Sequence, residues 1–166
     1  MKWLWSSAAA LVVIMSRKAY DYFAAGEFGP WFDLMSPVLL TKLDMFRDLW
    51  GSPVIVSGAV GGVGRNDGPF GASQHNVDRW GEVRGIDVFP QVPDGNGGYK
   101  YMTSIVDRER ALRIAREVGF TGIGIYTDTS PGNMLHLDVR EDRTEYVPAL
   151  WSRVGGEYLG ISQGLV

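Results

Sequence analysis

The sequence predicts an α+β domain, a small and mainly antiparallel sheet with helices packed on one side. Three observations predict it. Leu39–Trp50 and Asp107–Val118 repeat apolar residues at helical spacing, whereas Val54–Val56, Phe120–Tyr126 and Met134–Val139 are short strand-like runs. The last two runs are joined by the polar stretch Thr127–Gly132, the pattern of an antiparallel hairpin. The chain has 166 residues, 45% of them hydrophobic, which is enough for one core and short for two.

Trp3–Met15 is a nearly unbroken apolar run between Lys2 and Ser16-Arg17-Lys18. As a helix it spans about 20 Å, short of the ~30 Å hydrocarbon core of a bilayer. Its length suits a signal peptide, but Arg17 and Lys18 are poor neighbours for a cleavage site. Two readings stay open for residues 1–26: a helix packed on the domain or a partner, or a signal, anchor or interfacial segment contacting a membrane or virion through residues 3–15. Ala19–Ala25 prolongs that helix and Gly26 stops it. Residues 27–166 form the main domain.

Gly29-Pro30 interrupts the chain, and Ser36-Pro37 supplies an N-cap and a first helical residue. Leu39, Leu40, Leu43, Phe46, Leu49 and Trp50 form the apolar stripe of a scaffold helix that Gly51 and Pro53 end. Val54–Val56 is a buried strand leading into Ser57-Gly58. The glycine-rich stretch 58–71 lacks the Gly-Lys-Ser/Thr ending of a phosphate loop. Phe89-Pro90 closes the strand that carries Asp87, and residues 93–98 are a turn. The helix Asp107–Val118 stops at Gly119. Beyond the hairpin, Glu141-Asp142-Arg143 is a solvated turn, Tyr146–Trp151 packs back on the domain, and Gly155–Val166 is a loosely held tail.

A net charge of −3 leaves no electrostatic footprint for nucleic acid. The absence of cysteine rules out a disulfide framework and leaves any transition-metal site to histidine and carboxylate. There are two histidines, His75 and His136, each in a segment with a carboxylate nearby. Strand alternation over Met134–Val139 turns Leu135 and Leu137 to one face and His136, Asp138 and Arg140 to the other. Two histidines and one aspartate with an open fourth position make a catalytic zinc site. Zinc so held brings bound water to a pKa of ~7 and polarises a carbonyl, as amide hydrolysis requires.

Ser73-Gln74-His75, then Arg84-Gly85-Ile86-Asp87, then Gly122-Ile123-Gly124-Ile125-Tyr126 running into Leu135-His136-Leu137-Asp138, resembles the zinc D-alanyl-D-alanine carboxypeptidase family. That family includes L-alanyl-D-glutamate endopeptidases and phage endolysins that cut peptidoglycan stem peptides. The resemblance covers roughly Phe32–Arg140. It implies His75, Asp87 and His136 as zinc ligands, a site at the sheet edge, peptidoglycan peptides as substrate, and action at the bacterial cell wall or periplasm, in a virion-associated or membrane-anchored form.

The departures define further expectations. Glu82 stands where the family usually places the ligand Asp, and Asp87 fits if Asn76–Val83 contains a five-residue insertion. That insertion overhangs the metal, where Arg79 and Trp80 either shape a substrate wall or plug onto the core. Asn133 occupies the usual position of the general base, so Asp138 is the substitute, with Asp128 and Glu82 behind it. Asp138 serves equally well as a carboxylate that orients a ligand imidazole. An Arg that holds the substrate carboxylate usually follows Ser57-Gly58; Arg65 is either its replacement or a solvated loop residue, and Ser73 is a second substrate-binding candidate. Tyr126 either reaches the site or packs at its strand end.

A non-haem iron oxygenase needs a distal histidine after His-x-Asp, and none follows Asp138. Two other readings remain: a weakly active or inactive structural or binding module of a phage virion with the same fold, and a zinc hydrolase of another amide.

Overall fold

The computed structural model describes residues 20–166. The expectations for residues 3–15 lie outside the described residues, and among these no helix is long and apolar enough to cross a membrane. Residues 20–24 are not helical, which corrects the prolonged N-terminal helix ending at Gly26. A 3-10 segment instead starts there, Ala25–Leu34, interrupted at Gly29 with φ 56°. Phe28 anchors it in the core.

Helix α1, Pro37–Trp50, starts after Ser36 with proline in its first turn and ends at Gly51, whose φ of 70° suits a residue without a Cβ. Ser36 forms no side-chain cap; its N–H donates to Val83 O at 2.9 Å, tying the helix start to the chain just ahead of the site. Helix α2, Val77–Trp80, is one turn within the predicted insertion. Helix α3, Ile105–Val118, is capped by Ser104, whose side chain accepts from Asp107 N–H at 3.1 Å, and stops at Gly119.

The strands are β1 (Val54–Val56), β2 (Gly85–Pro93), β3 (Tyr99–Tyr101), β4 (Gly122–Tyr126), β5 (Met134–Asp138), β6 (Ala149–Val154) and β7 (Glu157–Leu159). They form one sheet in the order β1-β2-β5-β4-β6-β7, with β3 paired to β2. Every pairing is antiparallel except β4 with β6. The architecture is the expected α+β arrangement.

Alternation divides the two faces of the sheet. Ile86, Val88, Ile123, Ile125, Leu135 and Leu137 are buried in one core with Leu39, Leu43 and Phe46 of α1 and Ala111, Ile114 and Ala115 of α3. Burial of a Leu, Ile or Phe side chain contributes about 1.5–3 kcal/mol, so this face fixes the register. The register aligns Asp87, His136, Gly124 and Trp151 in one row across β2, β5, β4 and β6 on the opposite face.

Two expectations are corrected. Strand β2 does not close at Phe89-Pro90: Pro90 lacks an N–H, but its carbonyl accepts from Met102 N–H at 2.9 Å, and Gln91 N–H reaches Pro53 O at 2.8 Å. The C-terminal residues are not a loose tail. They form β7 and a 3-10 turn, Ile161–Leu165, held where Arg108 Nε donates to Gly164 O at 2.6 Å and Ser152 Oγ to Gly160 O at 2.8 Å.

Candidate metal centre

Three elements bring the donors together. Asp87 lies on β2 and His136 directly opposite on β5, while His75 comes from the loop between β1 and β2. That loop is ordered by Asn76, fully buried, whose Oδ1 accepts from Asp67 N–H and whose Nδ2 donates to Gly68 O and Gly71 O. Arg65 N–H donates to His75 O at 3.0 Å, which pins the backbone at His75.

His75 Nε2, Asp87 Oδ1 and His136 Nδ1 face one another and could hold a metal ion. The two nitrogens are 3.1 Å apart, and Asp87 Oδ1 lies 3.0 Å from His136 Nδ1 and 3.5 Å from His75 Nε2. Ligands at ~2.0–2.1 Å around a tetrahedral ion are separated by about 3.3 Å. The triangle therefore matches one face of such a tetrahedron.

The other ring nitrogens are committed. His75 Nδ1 lies 2.7 Å from Val63 O, a partner that only a donor satisfies, so Nε2 presents its lone pair to the centre. His136 Nε2 donates to Asp138 Oδ2 at 2.9 Å, leaving Nδ1 as the atom that faces the other two donors. Asp138 is fully buried and is held from behind by Arg140, whose Nε reaches Oδ1 at 2.9 Å. Such a carboxylate behind an imidazole fixes its tautomer and raises its basicity.

The glycines of the sequence motifs make room for this stack. A Cβ on Gly122 would overlap the Asp138 carboxylate, and one on Gly124 would come within 2.6 Å of the Trp151 indole. A Cβ on Gly85 would stand 3.0 Å from the His136 ring. Trp151 packs against His136 with ring centroids 5.2 Å apart.

Burial opposes charge on His136, but the hydrogen bonds to Asp138 and Asp87 prevail and raise its pKa to about 9 in the metal-free protein. Burial also disfavours the Asp87 and Asp138 carboxylates. The hydrogen bonds from His136 and His75 to Asp87, and from Arg140 and His136 to Asp138, outweigh it and hold both well below the usual carboxylate range. Burial drives the Tyr126 phenol upward.

The three donors open onto a cleft of about 620 Å³. Arg65 and Ser73 both line it. Arg65 Nε is paired with Asp67 at 2.7 Å, and Ser73 Oγ accepts from His75 N–H at 3.2 Å. Tyr126 reaches the cleft, with its oxygen accepting from Trp151 Nε1 at 3.2 Å.

Other expectations are corrected by position. The donors occupy the open face of the sheet over its central strands, not an edge. Asp138 is no free base: both its oxygens are occupied by His136 and Arg140. Glu82 is outside the donor group and pairs with Arg84 at 3.1 Å. Asp128 accepts from Gly156 N–H, and Asn133 Oδ1 accepts from buried Arg108 at 3.0 Å, so neither lines the cleft. Trp80 is absent from the cleft wall; its Nε1 donates to Ser73 O at 2.8 Å, and the guanidinium groups of Arg79 and Arg84 lie over its ring.

Trp151, Arg153 and Tyr158 line the cleft without having been singled out in the sequence. The signal available was the alternation Leu150-Trp151-Ser152-Arg153. Buried Ser152 on the core-facing side of β6 blurred its polarity. Comparison with protein-family models, curated proteins and solved structures finds no match to the chain.

Proposed function

We propose that the protein is a zinc-dependent peptidase that hydrolyses an amide bond in peptidoglycan stem peptides. The reading is of the D,D-carboxypeptidase or L-alanyl-D-glutamate endopeptidase type, in a phage lytic enzyme acting at the bacterial cell wall. The observation that carries it is the triangle of His75 Nε2, Asp87 Oδ1 and His136 Nδ1, closed behind by Asp138 and open in front to a cleft. Two imidazoles and one carboxylate with an open position are the donor set of catalytic zinc. The order of the Ser-x-His, small-x-Asp and His-x-Asp motifs supports the substrate class.

Zinc bound there supplies a Lewis acid and brings the pKa of bound water toward ~7. The chain contributes the rest. Asp138 and Val63 O hold the two imidazoles in the ligating tautomer. Tyr126 accepts from Trp151 and lines the cleft, where its O–H turns from Tyr158 to charge developing on a carbonyl oxygen. Its raised pKa keeps that proton in place near neutrality. Trp151 shields one side of His136 from water.

One observation favours the second reading, a weakly active or inactive module of a phage virion. Among the described residues, no carboxylate other than Asp87 lines the cleft. The test is mass spectrometry of purified peptidoglycan incubated with the protein, with chelator and then with zinc restored. A chelator-sensitive, zinc-restored peptide product supports the peptidase and identifies the bond. Intact peptidoglycan without bound zinc favours the second reading, and intact peptidoglycan with zinc bound favours a hydrolase of another amide.

A further inference from the structure

The cleft contains three arginines, and their guanidinium groups are not equally occupied. Arg140 is on the His136 side and spends its fork on Asp138, with Nε at 2.9 Å and Nη2 at 2.5 Å. Arg65, on the loop beyond β1, is paired through Nε with Asp67 at 2.7 Å. Arg153, on β6, donates no hydrogen bond from its guanidinium to any described residue. Its nearest acidic atom is Asp128 Oδ2 at 3.6 Å, and that oxygen already accepts from Gly156 N–H at 2.5 Å.

Arg153 is also well positioned. It stands opposite Tyr126 in the parallel β4–β6 register, two residues beyond Trp151, with its guanidinium carbon 6.0 Å from the Tyr126 ring centroid. Tyr158 meets Tyr126 edge to face at 6.0 Å. The strand order β1-β2-β5-β4-β6 puts Arg153, on β6, two strands from His136 on β5, whereas Arg65 lies on the loop that carries His75. A guanidinium fork with uncommitted N–H groups, backed by aromatic rings on a strand, suits a planar carboxylate.

We propose that Arg153 is the specificity-determining residue that binds a free carboxylate of the substrate peptide, on the β6 side of the metal. The proposal rests on the peptidase reading for the identity of the ligand as a peptide. It gives the anionic substrate group to the C-terminal strand and leaves Arg65 held by Asp67. The substrate carboxylate displaces the long contact to Asp128, which keeps its hydrogen bond from Gly156.

The test is calorimetric binding of the synthetic stem pentapeptide L-Ala-D-Glu-L-Lys-D-Ala-D-Ala, with its carboxylates free or amidated, to zinc-loaded and to chelated protein. Zinc-dependent cleavage is scored separately. Wild type should bind the free acid about tenfold more tightly than the amide, as one charge-assisted hydrogen-bond pair provides. Arg153→Gln should abolish that preference and keep the melting temperature, and Arg153→Lys should restore part of it. Equal weakening of both peptides with a lowered melting temperature would make Arg153 a structural residue and overturn the proposal. A preference that survives Arg153→Gln and disappears in Arg65→Gln would overturn it while leaving the peptidase reading intact. Absence of binding to either peptide, with no cleavage, would overturn both.

Discussion

Asp138 Oδ2 accepts from His136 Nε2 at 2.9 Å, and this contact turns Nδ1 of the same ring toward Asp87 and His75. The carboxylate expected in front of the donor group thus stands behind one of its imidazoles. Asp138→Asn should weaken metal binding about 10–100-fold, the usual cost of losing such a partner. Competition with a calibrated zinc chelator measures this. Unchanged zinc affinity with lost turnover would return Asp138 to the role of base.

The glycines beside the site act through the room they leave. Gly124→Ala places a Cβ within 2.6 Å of the Trp151 indole and should push that ring away from His136. Overpacking of this kind costs about 1–3 kcal/mol, readable as a lower urea midpoint. Quenching or a shift of tryptophan emission on metal binding should diminish with it. Wild-type stability and fluorescence in this variant would show that Trp151 does not depend on the Gly124 opening.

Asn133 is directed at Arg108 and away from the cleft. Restoring the missing acid with Asn133→Asp should therefore create a buried ion pair and leave peptide turnover no faster. A gain in peptidoglycan hydrolysis of about tenfold or more, at the low end of general-base effects, would contradict the placement of this side chain.

The metal-free protein should lose stability in alkali. Its folded His136 is raised to about 9 from the ordinary imidazole value of about 6.5, because Asp138 and Asp87 overcome the burial that disfavours the charge. A raised folded-state pKa contributes stability that is fully present below the unfolded value and is lost as pH rises through the folded one. Melting temperatures of chelated protein should fall between pH 7 and 10, and Asp138→Asn should flatten that decline. A wild-type profile level across this range would contradict the coupling.

The fold was legible wherever one periodicity ruled a segment. The stripe Leu39-Leu43-Phe46-Trp50 could only be a buried helix, and the glycine-rich β4 run followed by Leu135-His136-Leu137 could only pair across a short turn. The donors His75, Asp87 and His136 were legible through motif order, since Arg84-Gly85-Ile86-Asp87 keeps its local pattern despite the inserted turn α2. The occupancy of Asp138 was not, because alternation states which face a side chain shares but not which partner claims it. Trp151 and Arg153 are not legible as cleft residues because their position depends on the non-local parallel pairing of β6 with β4.

The most direct test of the central claim is zinc stoichiometry, by elemental mass spectrometry, of the dialysed wild type and of four single variants. The proposed function predicts about one zinc per chain, the stoichiometry of a single four-coordinate site, in wild type and in Glu82→Ala. His75→Ala, Asp87→Ala and His136→Ala should retain essentially none while keeping a cooperative thermal transition. Retained zinc in Asp87→Ala, or its loss in Glu82→Ala, would contradict the assigned centre.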